Sequence, residues 1–219
     1  MFLRVNLDPS AYLPSGFLSG VAAMTNEMPS HAMLTSPHSL GNKITRVIWG
    51  VFYVLFFRYT PRQMHWYRNL VLRMFGARLH RTSRVYPKAQ IWLPSNLVMG
   101  PYACLGNGVD CYNVTTITIG EWTTVSQYAY LCGATHDHED PEFPLVPKPI
   151  TLGKRVWIAA DVFVASGVTV GDGTVVGARS SVFKDLPSWH ICMGSPAHPV
   201  KPRELRPRDF GYDEPGEDR

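Results

Sequence analysis

From Leu152 onward an aliphatic side chain returns at every sixth position: Leu152, Ile158, Val164, Val170, Val176 and Val182. The residue after each of the first five is Gly or Ala, and Val156, Val162, Val168, Thr174 and Ser180 hold the fifth place of each hexad. The same frame occurs upstream at Ile119, Val125 and Leu131, and more weakly at Leu93, Met99 and Leu105. A period of six does not suit an α-helix, whose faces recur every 3.6 residues. It predicts a mainly β architecture: a triangular parallel β-helix in which each hexad makes one short strand and one turn. The aliphatic residue points inward, the small residue after it lets the chain turn, and three hexads complete a coil. Coils stacked at the parallel strand spacing of about 4.8 Å give continuous aliphatic ladders.

The pattern before this is different. Residues 1–41 scatter Pro, Ser, Gly and Met without a sustained period and read as a loosely ordered segment. Residues 42–84 turn helical. "ITRVIWGVFYVLFFRY" is apolar almost all round, and "TPRQMHWYRNLVLRMFGARL" starts with Thr60 as a candidate N-cap and Pro61 at the first helical position. Met64, Tyr67, Leu70, Val71 and Met74 recur at helical spacing, with Gly76 as C-cap. Two roles compete for this segment. One is a cap packed on the β-helix. The other is a peripheral membrane contact, with Trp49, Phe52, Phe56, Phe57 and Trp66 in lipid and Arg46, Arg58, Arg62, Arg68 and Arg73 at headgroups.

The β-helix is expected over 85–196, interrupted by a loop over 136–149, and followed by a C-terminal arm over 197–219. The longest apolar run, Val47–Phe57, is too short for the roughly 20 residues a hydrocarbon core requires, so no membrane span is expected. The amino terminus lacks the basic, apolar and small-residue order of a signal peptide. Lys and Arg total 21 against 17 Asp and Glu, a net charge of +4. That excess is too small for a nucleic-acid footprint. Cys104, Cys111, Cys132 and Cys192 form no CxxC pair, which fits reduced thiols and a cytoplasmic setting.

The hexads break once, at "CGATHDHEDPEFPLVPKP". The stretch carries His136 and His138 beside four acidic residues, and Pro141, Pro144, Pro147 and Pro149 stiffen it. On the residues alone a metal site, a catalytic base and a solvated turn are all open.

The hexads, this loop and the preceding helical segment resemble the hexapeptide acyltransferase superfamily, and within it the sugar and xenobiotic O-acetyltransferase branch. The chain is most similar to the colanic acid biosynthesis acetyltransferases. The likeness rests on "TITIGEWTTVSQYAYLCGATHDHEDPEFPL" and "ITLGKRVWIAADVFVASGVTVGDGTVVGARSSVFKDLPSWHICMGSPAHPVKPR", and more loosely on "LFFRYTPRQMHWYRNLVLRMFGARL". It implies a left-handed β-helix, a homotrimer with active sites between subunits, acetyl-CoA as co-substrate and a sugar or glycan acceptor. It aligns His136, at the end of "CGATH", with the family's general base, and Ala160 with the backbone donor to the tetrahedral oxyanion. Trp157, Ala160 and Ala178 match positions that line the pantetheine groove. Lys184, Lys201 and Arg203 match positions near the CoA phosphates, with Arg206 and Arg208 adding to the field.

His138 is a candidate to orient the acceptor, and Asp137, Glu139 and Glu142 to meet sugar hydroxyls or to fix the His136 tautomer; simple solvation is the alternative for each. Phe183 stands where relatives usually have Ser or Thr, and His198 where many have Lys or Arg, so the cofactor site departs from the family in detail. No metal is expected. The γ-type carbonic anhydrases share this fold, but they use two histidines five apart, and none in the prism region is so spaced. The expectation is an acetyl-CoA-dependent O-acetyltransferase in exopolysaccharide or surface-glycan synthesis. The alternatives are a transferase for small free sugars or xenobiotics, and a non-catalytic scaffold or glycan-binding module.

Overall fold

The structure is a computed structural model, and it describes residues 40–205. The expectations for residues 1–39 and for the tail with Arg206 and Arg208 lie outside the described residues. A helix opens the described chain: α1 (Leu40–Phe52) continues without a break into a wider π-helical turn, Tyr53–Phe57. The helix is therefore longer than the apolar run that marks it in the sequence. Over Leu40–Phe57 it has 18 residues, long and apolar enough to cross a membrane by length and composition alone.

Thr60 does not start the second helix. Its hydroxyl donates to the Phe57 carbonyl at 2.7 Å and so closes the end of the first. The second helix, α2 (His65–Met74), begins after Met64 with no side-chain cap. Gly76 does end it. With φ of 89°, Gly76 lets its own N–H reach Arg73 O and the Ala77 N–H reach Leu72 O, a Schellman closure.

The rest is a parallel β-helix. Its first coil is β1 (Arg78–Leu79), β2 (Arg84–Val85) and β3 (Gln90–Ile91). The second is β4 (Leu97–Met99), β5 (Cys104–Leu105) and β6 (Asp110–Tyr112), and the third β7 (Ile117–Ile119), β8 (Thr124–Val125) and β9 (Tyr130–Cys132). A hairpin, β10 (Ala134–His136) and β11 (Leu145–Pro147), then leaves the prism. The fourth coil is β12 (Ile150–Leu152), β13 (Trp157–Ile158) and β14 (Phe163–Val164). The fifth is β15 (Thr169–Val170), β16 (Val175–Val176) and β17 (Ser181–Val182). A partial sixth coil bridges Leu186 to Val170 and adds β18 (His190–Gly194), on which β19 (Ala197–Pro202) folds back antiparallel.

Every third strand stacks, giving three faces. Face A is β1-β4-β7-β12-β15, face B runs from β2 to β19, and face C is β3-β6-β9-β14-β17. The inward ladders are Leu79, Met99, Ile119, Leu152 and Val170 on A; Val85, Leu105, Val125, Ile158, Val176 and Cys192 on B; and Ile91, Cys111, Leu131, Val164 and Val182 on C, all buried. Each such aliphatic side chain withdrawn from water contributes about 1.5–3 kcal/mol. Leu93 is buried but is not a rung. The rung is Ile91, because the chain from Ile91 to Met99 makes a 3-10 turn at Pro94–Asn96 and takes two residues more than a hexad. The corner after Cys111 has the same excess before Ile119. Small residues at the corners are needed for close approach: a Cβ on Gly106 would lie 2.7 Å from Val125 O.

The helices finish the first coil. A solenoid's end presents carbonyls that no earlier coil can satisfy, and they must find donors. Trp49 Nε1 donates to Ile91 O at 2.7 Å, Arg68 Nε to Val85 O at 2.7 Å, Arg73 Nη2 to Leu79 O at 2.8 Å and Asn69 Nδ2 to Ser83 O at 2.7 Å. One donor thus meets the carbonyl of each inward rung. Trp49, Phe57 and Arg68 are consequently buried and are not available to lipid or headgroups, contrary to the membrane-contact expectation for those residues.

Candidate active site

The hairpin springs from the corner between faces C and A, the corner that also absorbs the extra residues in the first two coils. Gly133 opens it: its N–H donates to Tyr112 O at 2.9 Å, and a Cβ there would lie 2.6 Å from that oxygen. Lys148 N donates back to Gly133 O at 3.1 Å and closes the base. The register pairs His136 with Leu145.

His136 is exposed, and its Nδ1 lies 2.5 Å from the Phe143 carbonyl oxygen. A carbonyl only accepts, so Nδ1 carries the proton and Nε2 keeps its lone pair. The acidic neighbours do not perform this task. Asp137 Oδ1 accepts from Glu139 N at 3.1 Å and Asp140 Oδ1 from Glu142 N at 2.9 Å, each closing a local turn. Of the options open for Asp137, Glu139 and Glu142, contact with Nδ1 is not the one seen here: the Phe143 main-chain carbonyl occupies that place. Phe143 is held for that role with φ of 47°, and its N–H donates to Asp140 O at 2.9 Å. His138 is exposed and takes part in none of these bonds.

The other sequence candidates sit elsewhere on the prism. Trp157 lies on the outside of face B, 49% exposed, and its Nε1 donates to Ser126 Oγ at 2.9 Å. Ala160 and Ala178 stack on the corner between faces B and C, joined by Arg179 N donating to Ala160 O at 3.0 Å. The Ala160 N–H meets no protein acceptor among the described residues. Lys184 is exposed after β17, and Lys201 is exposed on β19 opposite Ile191. Arg203 uses Nη1 on Arg155 O at 2.9 Å and Gly173 O at 2.6 Å, which ties the end of the arm to the A–B corner. Within one chain, Trp157, Ala160 and Ala178 share the B side of the prism, whereas His136 stands on another corner.

One group was missed by sequence reasoning. Asp110, Tyr130 and Phe163 are in register on the outside of face C, with Tyr112 beside Cys132 in the next row. Cys132 Sγ donates to Ala134 O at 3.2 Å, which links this row to the hairpin. Desolvation raises the Asp110 carboxyl above the usual range. Desolvation, and then the hydrogen bond with Cys132, raises the Tyr130 phenol. The available signal was position: each lies one residue before an inward rung, Asp110 before Cys111 and Tyr130 before Leu131. Phe183 extends the aromatic row, its ring centroid 5.6 Å from that of Phe163. Among the described residues no three His, Cys, Asp or Glu side chains are grouped to hold a metal ion.

Chemically, the arrangement offers an imidazole oriented through Nδ1 on a stiff hairpin and, on a rigid corner, a backbone N–H that meets no protein acceptor among the described residues. The sequence is 42% identical over 163 residues to an Escherichia coli K12 protein named a colanic acid biosynthesis acetyltransferase, covering 74% of this chain and 90% of that protein. No family model matches the sequence. In fold, the chain resembles a hexapeptide-repeat acetyltransferase of Vibrio cholerae solved with acetyl coenzyme A. The TM-score is 0.69 at 23% identity, covering 78% of this chain and 93% of that one. A galactoside acetyltransferase solved with coenzyme A gives a TM-score of 0.68 at 24% identity, covering 82% and 90%.

Proposed function

The chain belongs to the hexapeptide-repeat acetyltransferase family, and from that premise we propose that it moves the acetyl group of acetyl-CoA onto a sugar hydroxyl, with His136 as general base. The observation that carries this reading is the Nδ1–H to Phe143 carbonyl bond, which leaves Nε2 free to accept a proton. Nε2 takes the acceptor's hydroxyl proton as that oxygen bonds to the thioester carbonyl carbon. The tetrahedral oxyanion receives the Ala160 N–H. The intermediate collapses, the carbon–sulfur bond breaks, and the imidazolium returns the proton to the CoA thiolate. The products are the sugar ester and CoA.

The separation of His136 from Ala160 on different corners supports a site completed by a neighbouring copy, and three copies around one axis would form three such sites. Trp157, Ala160 and Ala178 would then border the pantetheine arm, with Lys184, Lys201 and Arg203 near the phosphates. Arg203 has Nε and Nη2 left for this. Asp137, His138 and Glu142 would face the acceptor. The relative's name supports an exopolysaccharide or surface-glycan unit as the acceptor.

The test is CoA release from acetyl-CoA with a panel of sugars and glycans, comparing wild type with His136→Ala. Acceptor-dependent turnover that falls about a hundredfold or more in the variant, with the oligomer intact, is expected. An unimpaired variant would place the base elsewhere. No turnover and no acetyl-CoA binding would favour a scaffold.

A further inference from the structure

We propose that the chain docks on anionic membrane surfaces through the outward face of α1, with the helix lying in the plane of the interface. This rests on the cap alone and not on the catalytic reading. Ile44, Val47, Ile48, Val51, Val54 and Leu55 are all exposed large hydrophobic residues. They recur at i, i+3, i+4, i+7, i+10 and i+11 along α1 and the π-helical turn that continues it, which places them on one side. The other side carries Trp49, bonded to Ile91 O of the first coil, and Phe57, whose ring meets that of Trp49; both are buried. The amphipathic pattern is thus inverted: core contact uses a few aromatic residues, and the continuous aliphatic stripe faces away from the body. A stripe of this length exceeds the scattered apolar residues an ordinary surface carries.

Charge selects the occupant. Between residues 40 and 109 there are ten Lys and Arg and no Asp or Glu, whereas residues 110–205 hold seven against ten. The basic excess is concentrated at the end of the prism that bears the stripe. Lys43 and Arg58, near the two ends of the helix, are exposed, as is Arg62 just beyond. An aliphatic stripe bordered by basic side chains, with no carboxylate among residues 40–109, suits the boundary between acyl chains and anionic headgroups.

Length alone would also permit spanning. Attachment forbids it: Trp49 Nε1 is bonded to Ile91 O, so lipid cannot surround the helix while the first coil stays folded. Insertion to about 5–10 Å, stripe first, meets both constraints.

The experiment is flotation of the purified full chain with vesicles of equal phosphatidylglycerol and phosphatidylcholine, and with pure phosphatidylcholine. The variant Val47→Asp/Val51→Asp alters two residues 69% and 53% exposed, so the fold has little to lose. Binding to the anionic vesicles is expected, falling with salt and on neutral vesicles, and at least about tenfold weaker in the variant. The variant should keep its melting temperature and its CoA release with soluble acceptors. No flotation of wild type, or equal flotation of the variant, overturns the proposal. So does a change in subunit number in the variant by light scattering, which would make the stripe a contact between copies. Binding only after removal of residues 1–39 also overturns it, by assigning the stripe to that segment. Each of these outcomes leaves the His136 test untouched.

Discussion

Replacing Arg68 by Met should unfasten the first coil without disturbing the rest of the prism. Arg68 is fully buried. It donates from Nε to Val85 O at 2.7 Å, from Nη1 to Thr60 Oγ1 at 2.7 Å and Pro61 O at 2.8 Å, and from Nη2 to Arg62 O at 2.7 Å. No carboxylate pairs with it among the described residues, and burial lowers its pKa. Its role is therefore that of a multi-pronged donor to main chain. Methionine keeps the apolar stem but takes a donor from three carbonyls, of which Val85 O keeps another partner in His65 Nδ1 at 2.9 Å and Pro61 O in the Met64 N–H at 3.1 Å; at about 1 kcal/mol or more for each lost bond, about 3 kcal/mol is at stake. At about 1.4 kcal/mol per decade that is roughly a hundredfold in local opening.

Amide hydrogen exchange reads it directly. The Arg84, Tyr86 and Gln90 amides, which donate to Ala103, Leu105 and Val109 in the second coil, should exchange about a hundredfold faster. The Phe163 and Ala165 amides, which donate to Ser180 and Val182, should not change. Arg68→Lys should recover part of the protection, because an ammonium can reach one or two of the carbonyls but not the whole fork. Acceleration of less than about threefold in the Met variant would show that water satisfies these carbonyls and that Arg68 is not what ends the sheet.

Other consequences follow from the same geometry. The Phe143→Gly variant keeps the carbonyl that orients His136 and suits a φ of 47°, so turnover should stay within a few-fold of wild type. A loss as large as in His136→Ala would mean that the phenyl ring, not the carbonyl, positions the imidazole. The His65 pKa is lowered, first by burial and then by Arg68, Arg84 and Arg62, against the raising effect of the Val85 carbonyl. The unfolded cap therefore takes up a proton near the ordinary value of 6.5 while the folded cap resists it. Stability is full above that pH and falls below it. First-coil amide protection should drop between about pH 7 and 5, and His65→Gln should flatten that slope; an unchanged slope would sink the argument. Ile158→Ala deletes a fully buried rung of face B and should cost about 2–5 kcal/mol in thermal unfolding.

The architecture was legible where the coils are regular. From Leu152 to Val182 each coil takes 18 residues, as the register Leu152 with Val170 and Val164 with Val182 shows, and the hexads are unbroken. Upstream, Leu79 pairs with Met99 and Met99 with Ile119, so each coil takes two residues more and the frame slips once per turn. Cys111 occupies a rung that an aliphatic count overlooks. The cap was less legible because its logic is three-dimensional. Arg68 looks like a headgroup ligand on a helix and becomes buried only because Val85 O has no other coil to bond. Thr60 before Pro61 looks like an N-cap, yet its hydroxyl is spent on Phe57 O and on the Arg68 guanidinium. The position of His136 was legible from the break in the hexads. Its tautomer was not, since the Phe143 carbonyl reaches it only through the hairpin register.

The corner between faces C and A explains how the His136 hairpin can sit in so repetitive a structure. Ile117 pairs with Ile150 and Ile119 with Leu152 across the hairpin, so the ladders pass the insertion without a shift. The same corner tolerates two extra residues twice before, so the backbone there is already free of strict hexad geometry. Closing a longer loop adds little entropic cost, about 0.6 kcal/mol per doubling of length, while the stacked strands on either side fix both ends. The prism thus supplies rigidity, and the hairpin supplies a short, stiff lever on whose first strand one imidazole is held in one tautomer. The role proposed for His136 needs both: a fixed origin and an Nε2 open to the acceptor.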